Sequence, residues 1–224
     1  MTNTLSNSYA DTVVVLDFET TGLSPEHGGR AIEIGAVKIV EGKIVDRFQK
    51  LMNPGFAISA FISEYTGITN AMLRNAPPCH EVMGEFHEFI GEHNLVAHNA
   101  SFDRKFLDSE FSRISRSYVG TFSCTMLLSR RMNPDAINHK LETLVQHLGI
   151  DANGTFHRAL YDAEMAGMIW LAMLERISVQ TGIGPVPFDL ANAMCKASKS
   201  KAAALLQAYV LSRKGVADEN QPGA

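Results

Sequence analysis

A short apolar segment near the start of the chain, residues 12–18 (TVVVLDF), restricts the possible folds more than any other feature. Its residues are mostly β-branched, and such a run predicts a central strand that is buried on both faces. Residues 31–40 and 42–52 alternate partly between apolar and polar side chains around Glu41 and Gly42, which predicts a β-hairpin. The domain is therefore expected to open with three strands, at least two of them antiparallel.

Helical periodicity follows these strands. Apolar residues at helical spacing predict helices over residues 82–90, 101–114, 141–148 and 158–177, and a short apolar run predicts a strand over residues 94–98. Ser101 is expected to cap the second of these helices and Gly149 to end the third. Strands followed by alternating strands and helices are typical of an α/β domain with a mixed sheet.

The composition limits the class of protein. The chain has 224 residues, of which 46% are hydrophobic, and this is enough for a buried core. A net charge of −4 argues against a generally basic nucleic-acid-binding surface, although bound divalent metal would add positive charge locally. Three widely spaced cysteines suggest a reducing compartment and no disulfide framework. Because neither a signal-peptide pattern nor a long apolar run is found, we expect a cytoplasmic location and no membrane span.

Two acidic residues stand at the end of the apolar run. Asp17 lies within it and Glu19 follows two residues later. In an extended strand both side chains project to the same face, where two carboxylates repel each other. Either one is protonated or a cation lies between them, because a buried ionised carboxylate is costly without compensation. The alternative is a solvated strand end that carries two unrelated acids.

Three further polar residues lie at predicted helix starts. Asp103 lies in the first turn of the predicted helix that follows the strand over residues 94–98. Helical spacing places it on the apolar stripe that faces inward. The electrostatics of a helix N-terminus, worth roughly 0.3–1 kcal/mol, explain its place along the helix but not its inward direction. Asp162 lies on an otherwise apolar or small-residue segment, and His157 precedes it on an expected loop. Histidine suits proton transfer near neutral pH, although His157 taken alone could be a surface residue.

Together these residues make four carboxylates on three elements, with one candidate base. Oxygen ligands without cysteine favour Mg²⁺ or Mn²⁺, and two divalent ions would carry four positive charges to match four carboxylates. Two such ions about 3.5–4 Å apart can activate a water and stabilise the attacking and leaving oxygens of a phosphodiester. The set therefore indicates metal-dependent phosphodiester chemistry.

Five segments carry a family resemblance: DFETTGL (17–23), IEIGAV (32–37), YTGIT (65–69), HNASFDRKFL (98–107) and HRALYDA (157–163). In this order they resemble the DEDDh 3′→5′ exonucleases over about residues 11–177, and in particular the proofreading ε subunit of bacterial DNA polymerase III and its relatives. The resemblance implies a ribonuclease H-like fold with a mixed five-stranded sheet flanked by helices.

The resemblance also implies roles. Asp17, Glu19 and Asp162 would hold the ion that carries the nucleophilic water, Asp17 would reach a second ion with Asp103 assisting through water, and His157 would be the general base. Tyr65 and Phe102 are candidate stacking surfaces for a terminal base, although Phe102 could be a core residue. The implied substrate contacts are Thr20, Thr21, Gly22 and Leu23 at the terminal nucleotide, Tyr65 and Thr66 in the base pocket, and His98 and Asn99 near the phosphate.

The implied function is removal of nucleoside 5′-monophosphates from the 3′ end of single-stranded DNA, in proofreading or repair. Two alternatives stay open. The same chemistry could trim RNA, because sugar discrimination depends on space and hydrogen bonding at one 2′ position. A non-catalytic module that binds a polymerase would keep the fold but would be expected to lose one of the acids, and all five candidate groups are present.

The chain is expected to comprise a flexible N-terminus (1–10), an exonuclease domain (11–180), and a linker with a helical tail (181–224). Residues 182–187 (GIGPVP) predict the linker, and residues 199–214 predict a helix that ends at Gly215 before a loose C-terminus. No clamp-binding pentapeptide like that of the ε subunit is found, so membership of a replicative polymerase stays open. The tail helix could dock on a polymerase subunit, on a second copy in a homodimer, or on its own domain, which is preferred.

Overall fold

The computed structural model describes residues 9–154, 156–182 and 184–219, with side chains described to residue 213. The predicted flexible N-terminus up to residue 8 and the last five residues of the predicted loose C-terminus lie outside the described residues. The strands are β1 (Val13–Thr20), β2 (Ala31–Val40), β3 (Lys43–Leu51), β4 (Leu95–Ala97) and β5 (Phe122–Cys124). The helices are a short 3₁₀ turn (Pro25–His27) and α1 (Ala60–Thr66), α2 (Asn70–Asn75), α3 (Cys79–Ile90), α4 (Ser101–Arg113), α5 (Thr125–Met132), α6 (Leu141–His147), α7 (Ala159–Thr181), α8 (Phe188–Lys196) and α9 (Lys199–Glu219).

The five strands form one mixed sheet in the order β3-β2-β1-β4-β5. The first three pair antiparallel, whereas β1 pairs with β4, and β4 with β5, in parallel. The predicted hairpin is confirmed: Glu41 and Gly42 both have positive φ angles, 51° and 76°, as a two-residue turn between twisted strands requires. The predicted mixed five-stranded sheet is confirmed as well.

Helices cover both faces of the sheet. On one face α7 packs Trp170, Met173 and Ile177 against the strands, and on the other α3 and α4 pack Phe86 and Phe106. Because both faces are covered, β1 is buried along most of its length, as its continuous apolar run predicts. The central strand therefore carries its acidic residues into the interior.

One close contact sets the position of α7 on the sheet. A Cβ atom on Gly35 of β2 would lie 2.0 Å from the backbone nitrogen of Leu160 and 2.1 Å from the carbonyl carbon of Ala159. Only glycine leaves room for the two main chains to approach this closely. The start of α7 is thereby pressed onto β2.

Several boundaries differ from the sequence-based expectation. Ser101 is the first residue of α4 and not its cap, because Ala100 occupies the N-cap position after a backbone turn in which the Asn99 carbonyl accepts the Phe102 N–H. The helix α9 does not end at Gly215 but continues to Glu219. A glycine costs only about 1 kcal/mol inside a helix, which neighbouring helix formers can offset.

The C-terminal segment contributes to the core. The helix α8, which was not predicted, buries Phe188, Met194 and Cys195 against the same cluster as α7. Tyr9 and Ala10, assigned above to the flexible N-terminus, also belong to the fold, because Ala10 is fully buried and its carbonyl accepts the indole N–H of Trp170 at 2.7 Å. Within the described residues, no helix combines the length and apolar character that a membrane crossing needs.

Candidate active site

Three carboxylates meet at the end of β1. Asp17 and Glu19 are two residues apart in the strand and project to one face, and Asp162 comes from the first turn of α7. One oxygen from each of the three lies within 4.8 Å of the others. The fold therefore gathers acidic residues that are up to 145 positions apart in the chain (162 − 17).

These carboxylates lack ionic compensation. In the part of the chain that the structure describes, no salt bridge includes Asp17, Glu19 or Asp162. Oδ1 of Asp162 is buried without a hydrogen-bond partner. Burial raises the pKa of Asp17 well above its usual range and the pKa of Glu19 to about 8, and repulsion from neighbouring carboxylates is the second cause in both. Burial also raises the pKa of Asp162 to about 6.

Asp103 is the fourth carboxylate. It is 1% exposed, and its Oδ1 accepts the backbone N–H of Phe18 at 3.1 Å. After burial itself, the charge of Asp103 is the largest cause of the raised pKa of Asp17. Burial raises the pKa of Asp103 to about 7. The Asp103 carboxylate is thus bonded to the main chain of β1, and its charge raises the pKa of Asp17.

The acids face an open cavity of about 780 Å³. It is lined by every residue predicted for the site except Asp103 and His98. Four further residues line it that were not predicted: Phe18, Ser59, Phe61 and Ile62.

His157 stands immediately before α7, beside the acids. Its backbone has a positive φ of 66°, and its N–H donates to Oδ2 of Asp162 at 3.0 Å. Its ring lies against Tyr65, with 4.5 Å between ring centroids. The imidazole is therefore oriented by two contacts, one through its backbone and one through its ring.

The segment after β1 forms one wall of the cavity. Thr20 donates its hydroxyl hydrogen to the carbonyl of Gly22 at 2.7 Å, and Thr21 exchanges hydrogen bonds with the Arg30 main chain. Leu23 is 86% exposed. An apolar side chain is thus presented to solvent from a hydrogen-bonded turn.

The opposite wall is α1. Tyr65 and Phe61 are one helical turn apart, and their rings lie nearly parallel with centroids 6.1 Å apart. Both rings are largely exposed, Phe61 at 71% and Tyr65 at 54%. Thr66 also lines the cavity, but its hydroxyl donates to Ile62 O and accepts from the Ile68 N–H. Phe61 could have been found from its spacing to Tyr65.

The segment before α4 divides between the site and the core. Asn99 and the half-buried Phe102 line the cavity. His98 does not: its Nδ1 bonds the Thr125 hydroxyl at 2.8 Å and its Nε2 bonds the His139 carbonyl at 3.0 Å. Burial lowers the pKa of His98 to about 4. The neutral ring of His98 is therefore engaged within the protein and not in the cavity.

A partly buried ion pair beside the acids was also not predicted. Glu33 is directly opposite Glu19 in the β1–β2 register and is fully buried. Its carboxylate accepts a hydrogen bond of 2.9 Å from Arg158, the residue after His157. Since Glu33 and Arg158 are 125 positions apart, spacing along the chain gave no signal of the pair.

A family model described as Exonuclease, RNase T, matches residues 14–169. The chain belongs to the RNase T exonuclease family. The matched range includes the four carboxylates, His157 and both walls of the cavity.

Relatives of this exonuclease include DNA polymerase III PolC-type proteins. That of Oceanobacillus iheyensis is 44% identical over 172 residues, covering 76% of this chain, and that of Bacillus subtilis is 41% identical over 167 residues, covering 74%. The chain spans only 12% of the length of either relative.

Solved structures give the same fold. Exonuclease X in complex with 5′ overhanging duplex DNA superposes with a TM-score of 0.65 at 27% identity, covering 82% of this chain and 99% of that one. The nuclease domain of 3′hExo, a DEDDh family member bound to rAMP, has a TM-score of 0.61 at 24% identity, covering 75% and 93%. The ribonuclease H-like architecture of the exonuclease is therefore shown.

The donor set of this exonuclease fits divalent metal. Three carboxylates within 4.8 Å of one another repel unless a cation separates them, and the unpartnered Oδ1 of Asp162 provides a free lone pair. The donors are all hard oxygens, which suit Mg²⁺ or Mn²⁺. Asp17, Glu19 and Asp162 could thus hold a divalent ion, and within the described residues none of the three belongs to a salt bridge.

Proposed function

We propose that the chain is a metal-dependent 3′→5′ exonuclease that hydrolyses phosphodiesters at the 3′ end of single-stranded DNA and releases nucleoside 5′-monophosphates. The observation that carries this proposal is the convergence of Asp17, Glu19 and Asp162 within 4.8 Å at the base of an open cavity, where no salt bridge among the described residues includes them. Family membership supports the reaction class.

In this mechanism Asp17, Glu19 and Asp162 would hold Mg²⁺ or Mn²⁺, and Asp103 would act through the charge it places beside Asp17. Two ions would lower the pKa of a water and stabilise charge on the scissile phosphate. His157 serves as the general base and accepts the water proton on its imidazole. Its orientation by Asp162 and Tyr65 keeps the ring near the acids before substrate arrives.

The walls of the cavity support an unpaired strand as substrate. Leu23 on one wall and the stacked pair of Phe61 and Tyr65 on the other are exposed apolar groups. Base–aromatic stacking is sequence-tolerant, because every base has a π-face, but the base must first be free of its own duplex neighbours. We therefore assign this cavity to the 3′-terminal nucleotides of a single strand.

The biological class is proposed from the relatives. Proteins named DNA polymerase III PolC-type share up to 44% identity with the chain, which favours proofreading or repair of DNA. The complete acidic set argues against a non-catalytic binding module. We further propose that residues 11–180 carry the chemistry, and that the distal part of α9 is the segment available to a polymerase or to a second copy.

The test is digestion of matched DNA and RNA oligonucleotides that carry a label at the 5′ end, with Mg²⁺ or Mn²⁺. We expect a ladder of labelled products shortened from the 3′ end, release of nucleoside 5′-monophosphates, and faster digestion of DNA. Labelled mononucleotide appearing first would show the opposite polarity and contradict the proposal. Faster digestion of RNA would reassign the substrate and keep the reaction.

A further inference from the structure

The start of α7 is held on β2 by one buried carboxylate. Glu33 accepts two hydrogen bonds from Arg158, at 2.9 Å from Nη2 and 3.3 Å from Nε. It also accepts the backbone N–H of Ala159 at 3.3 Å and the side-chain amide of Gln49 at 2.9 Å. Three of these four donors belong to Arg158, the N-cap residue of α7, and to Ala159, its first residue.

This carboxylate replaces a cap that the helix itself lacks. The N-cap residue of α7 is Arg158, whose side chain makes no capping hydrogen bond. The first N–H groups of a helix have no partner within the helix, so they need an external acceptor. Glu33 supplies one to Ala159 from the neighbouring strand, where the helix dipole also favours a negative charge.

A second contact lies two residues along the same strand. Gly35 and Glu33 project to the same face of β2, and the missing side chain of Gly35 admits the backbone of Ala159 and Leu160. Glu33 restrains the helix start by charge and hydrogen bonds, and Gly35 restrains it by contact. These restraints determine how close the first turn of α7 comes to β1.

We propose that Glu33 and Arg158 are positioning residues that hold His157 and Asp162 at the working distance from Asp17 and Glu19. His157 directly precedes Arg158, and Asp162 bonds back to the His157 N–H, so the two move with the helix start. The inference rests on the proposed exonuclease function.

A purely stabilising role explains the pair less well. The Arg158 side chain is 41% exposed, so the pair is only partly buried, and three of the four hydrogen bonds of Glu33 go to the two residues that directly follow His157. Loss of the pair would therefore shift the site itself. A second salt bridge joins α7 to the sheet at the exposed surface, where Arg47 of β3 pairs with Glu164 of α7 at 2.6 Å. That second pair gives a matched control.

The experiment compares Glu33→Gln, Arg158→Met and Arg158→Lys with the control Arg47→Met in the full chain. Glu33→Gln retains size and one acceptor oxygen but removes the charge. We expect kcat on single-stranded DNA to fall roughly 10–100-fold in Glu33→Gln and Arg158→Met, with KM changed less than about twofold, because the reacting groups shift while the cavity walls stay. Arg158→Lys should recover part of kcat, and Arg47→Met should match the wild type.

Mn²⁺ affinity measured by calorimetry gives a readout besides activity, and we expect it to weaken by roughly tenfold in Glu33→Gln, since Asp162 is displaced. Thermal unfolding identifies the variants that fold, and if Arg158→Met does not, Glu33→Gln decides. Wild-type kcat and Mn²⁺ affinity in folded Glu33→Gln would overturn the inference and leave the proposed function standing. A rise in KM alone would also overturn it, because Arg158 would then contact the substrate. Absence of mononucleotide release by the wild type would instead defeat the proposed function and this inference together.

Discussion

Two buried carboxylate regions of this molecule are treated in opposite ways. Glu110 on α4 is 2% exposed and meets Arg30 through two hydrogen bonds, at 2.7 and 3.0 Å, with the Ala31 N–H as a third donor. The cluster of Asp17, Glu19 and Asp162 is also largely buried, yet it has carboxylates as neighbours and no salt bridge among the described residues. One region is neutralised by the chain itself, and the other is left for something that the chain does not supply.

The difference separates stability from function. An internal ion pair with complete hydrogen bonding serves the fold, and losing one partner leaves a buried charge. Acids with raised pKa values and an unpartnered oxygen destabilise the fold unless cations bind. A buried carboxylate without its own cation is therefore the stronger indicator of a functional site.

The largest expected effect is on activity in the uncompensated region. Asp17→Asn should lower mononucleotide release by at least about 10³-fold, since loss of metal-based charge stabilisation of about 4 kcal/mol has that consequence. The exposed Asp189, changed to Asn, is the control and should leave activity unchanged. Initial rates with 5′-labelled single-stranded DNA check this. Activity of Asp17→Asn near the wild-type rate would contradict the claim that the uncompensated acids form the functional site.

Substitution in the compensated region, where Glu110 pairs with Arg30, should change the stability of the fold. Glu110→Ala leaves Arg30 and the Ala31 N–H without their acceptor, and we expect the free energy of unfolding to fall by about 3 kcal/mol. The kcat of the folded fraction should stay within about threefold of the wild type, because Glu110 is outside the cavity. Urea unfolding and steady-state rates at saturating DNA measure the two quantities. Unchanged stability with a large loss of kcat would reverse the assignment of the two regions.

The pH dependence of stability without metal sharpens the same contrast. Burial raises the pKa of Asp162 to about 6, of Asp103 to about 7 and of Glu19 to about 8, whereas free carboxyls titrate near 4. Between about pH 4 and 8 the folded chain keeps protons that the unfolded chain has released. Stability should therefore fall as pH rises, by up to about 1.4 kcal/mol per pH unit for each such carboxyl.

Urea unfolding in EDTA at pH 5 and pH 8 tests this expectation. Asp17→Asn should reduce the loss of stability between the two pH values, and Mn²⁺ should restore stability to the wild type at pH 8. A wild-type chain without metal that is more stable at pH 8 than at pH 5 would show that the acids are already compensated.

The smallest effect concerns the cavity wall. Phe61→Ala should lower kcat/KM on single-stranded DNA about fivefold to tenfold, since one base stack contributes roughly 1–3 kcal/mol and this ring is mostly exposed. Phe56→Ala removes a ring that is 49% exposed and outside the cavity, and should have no effect. A second assay uses DNA substrates with an abasic site at one of the three 3′-terminal positions. One of these substrates should be digested more slowly than normal DNA by the wild type, whereas Phe61→Ala should digest it at the same rate as normal DNA. Equal sensitivity of both proteins at every position would exclude stacking on Phe61.

Residue spacing predicted the elements of the site that depend on local geometry. Strand periodicity placed Asp17 and Glu19 on one face, and helical periodicity turned Asp103 inward, because both properties are set by a few neighbouring residues. The hairpin followed from the turn preference of Glu41 and Gly42. Convergence on one pocket was inferred from the joint chemistry of the set and from the family resemblance.

What spacing did not reveal depends on long-range packing. Glu33 lies opposite Glu19 because of the register between β1 and β2. It pairs with Arg158 because the start of α7 packs directly on Gly35. His98 was expected near the phosphate, but Thr125 and the His139 carbonyl, from segments without a clear pattern, engage both of its ring nitrogens. The helix α8 escaped notice because nine residues give too short a periodic signal.

The most direct test is the number of Mn²⁺ ions bound per chain, measured by equilibrium dialysis at pH 8 for the wild type and for Asp17→Asn. Two ions per wild-type chain, with binding abolished or reduced to one weak ion in the variant, is the predicted result. Equal binding by both proteins, or none by either, would contradict the claim that the uncompensated acids form a metal site.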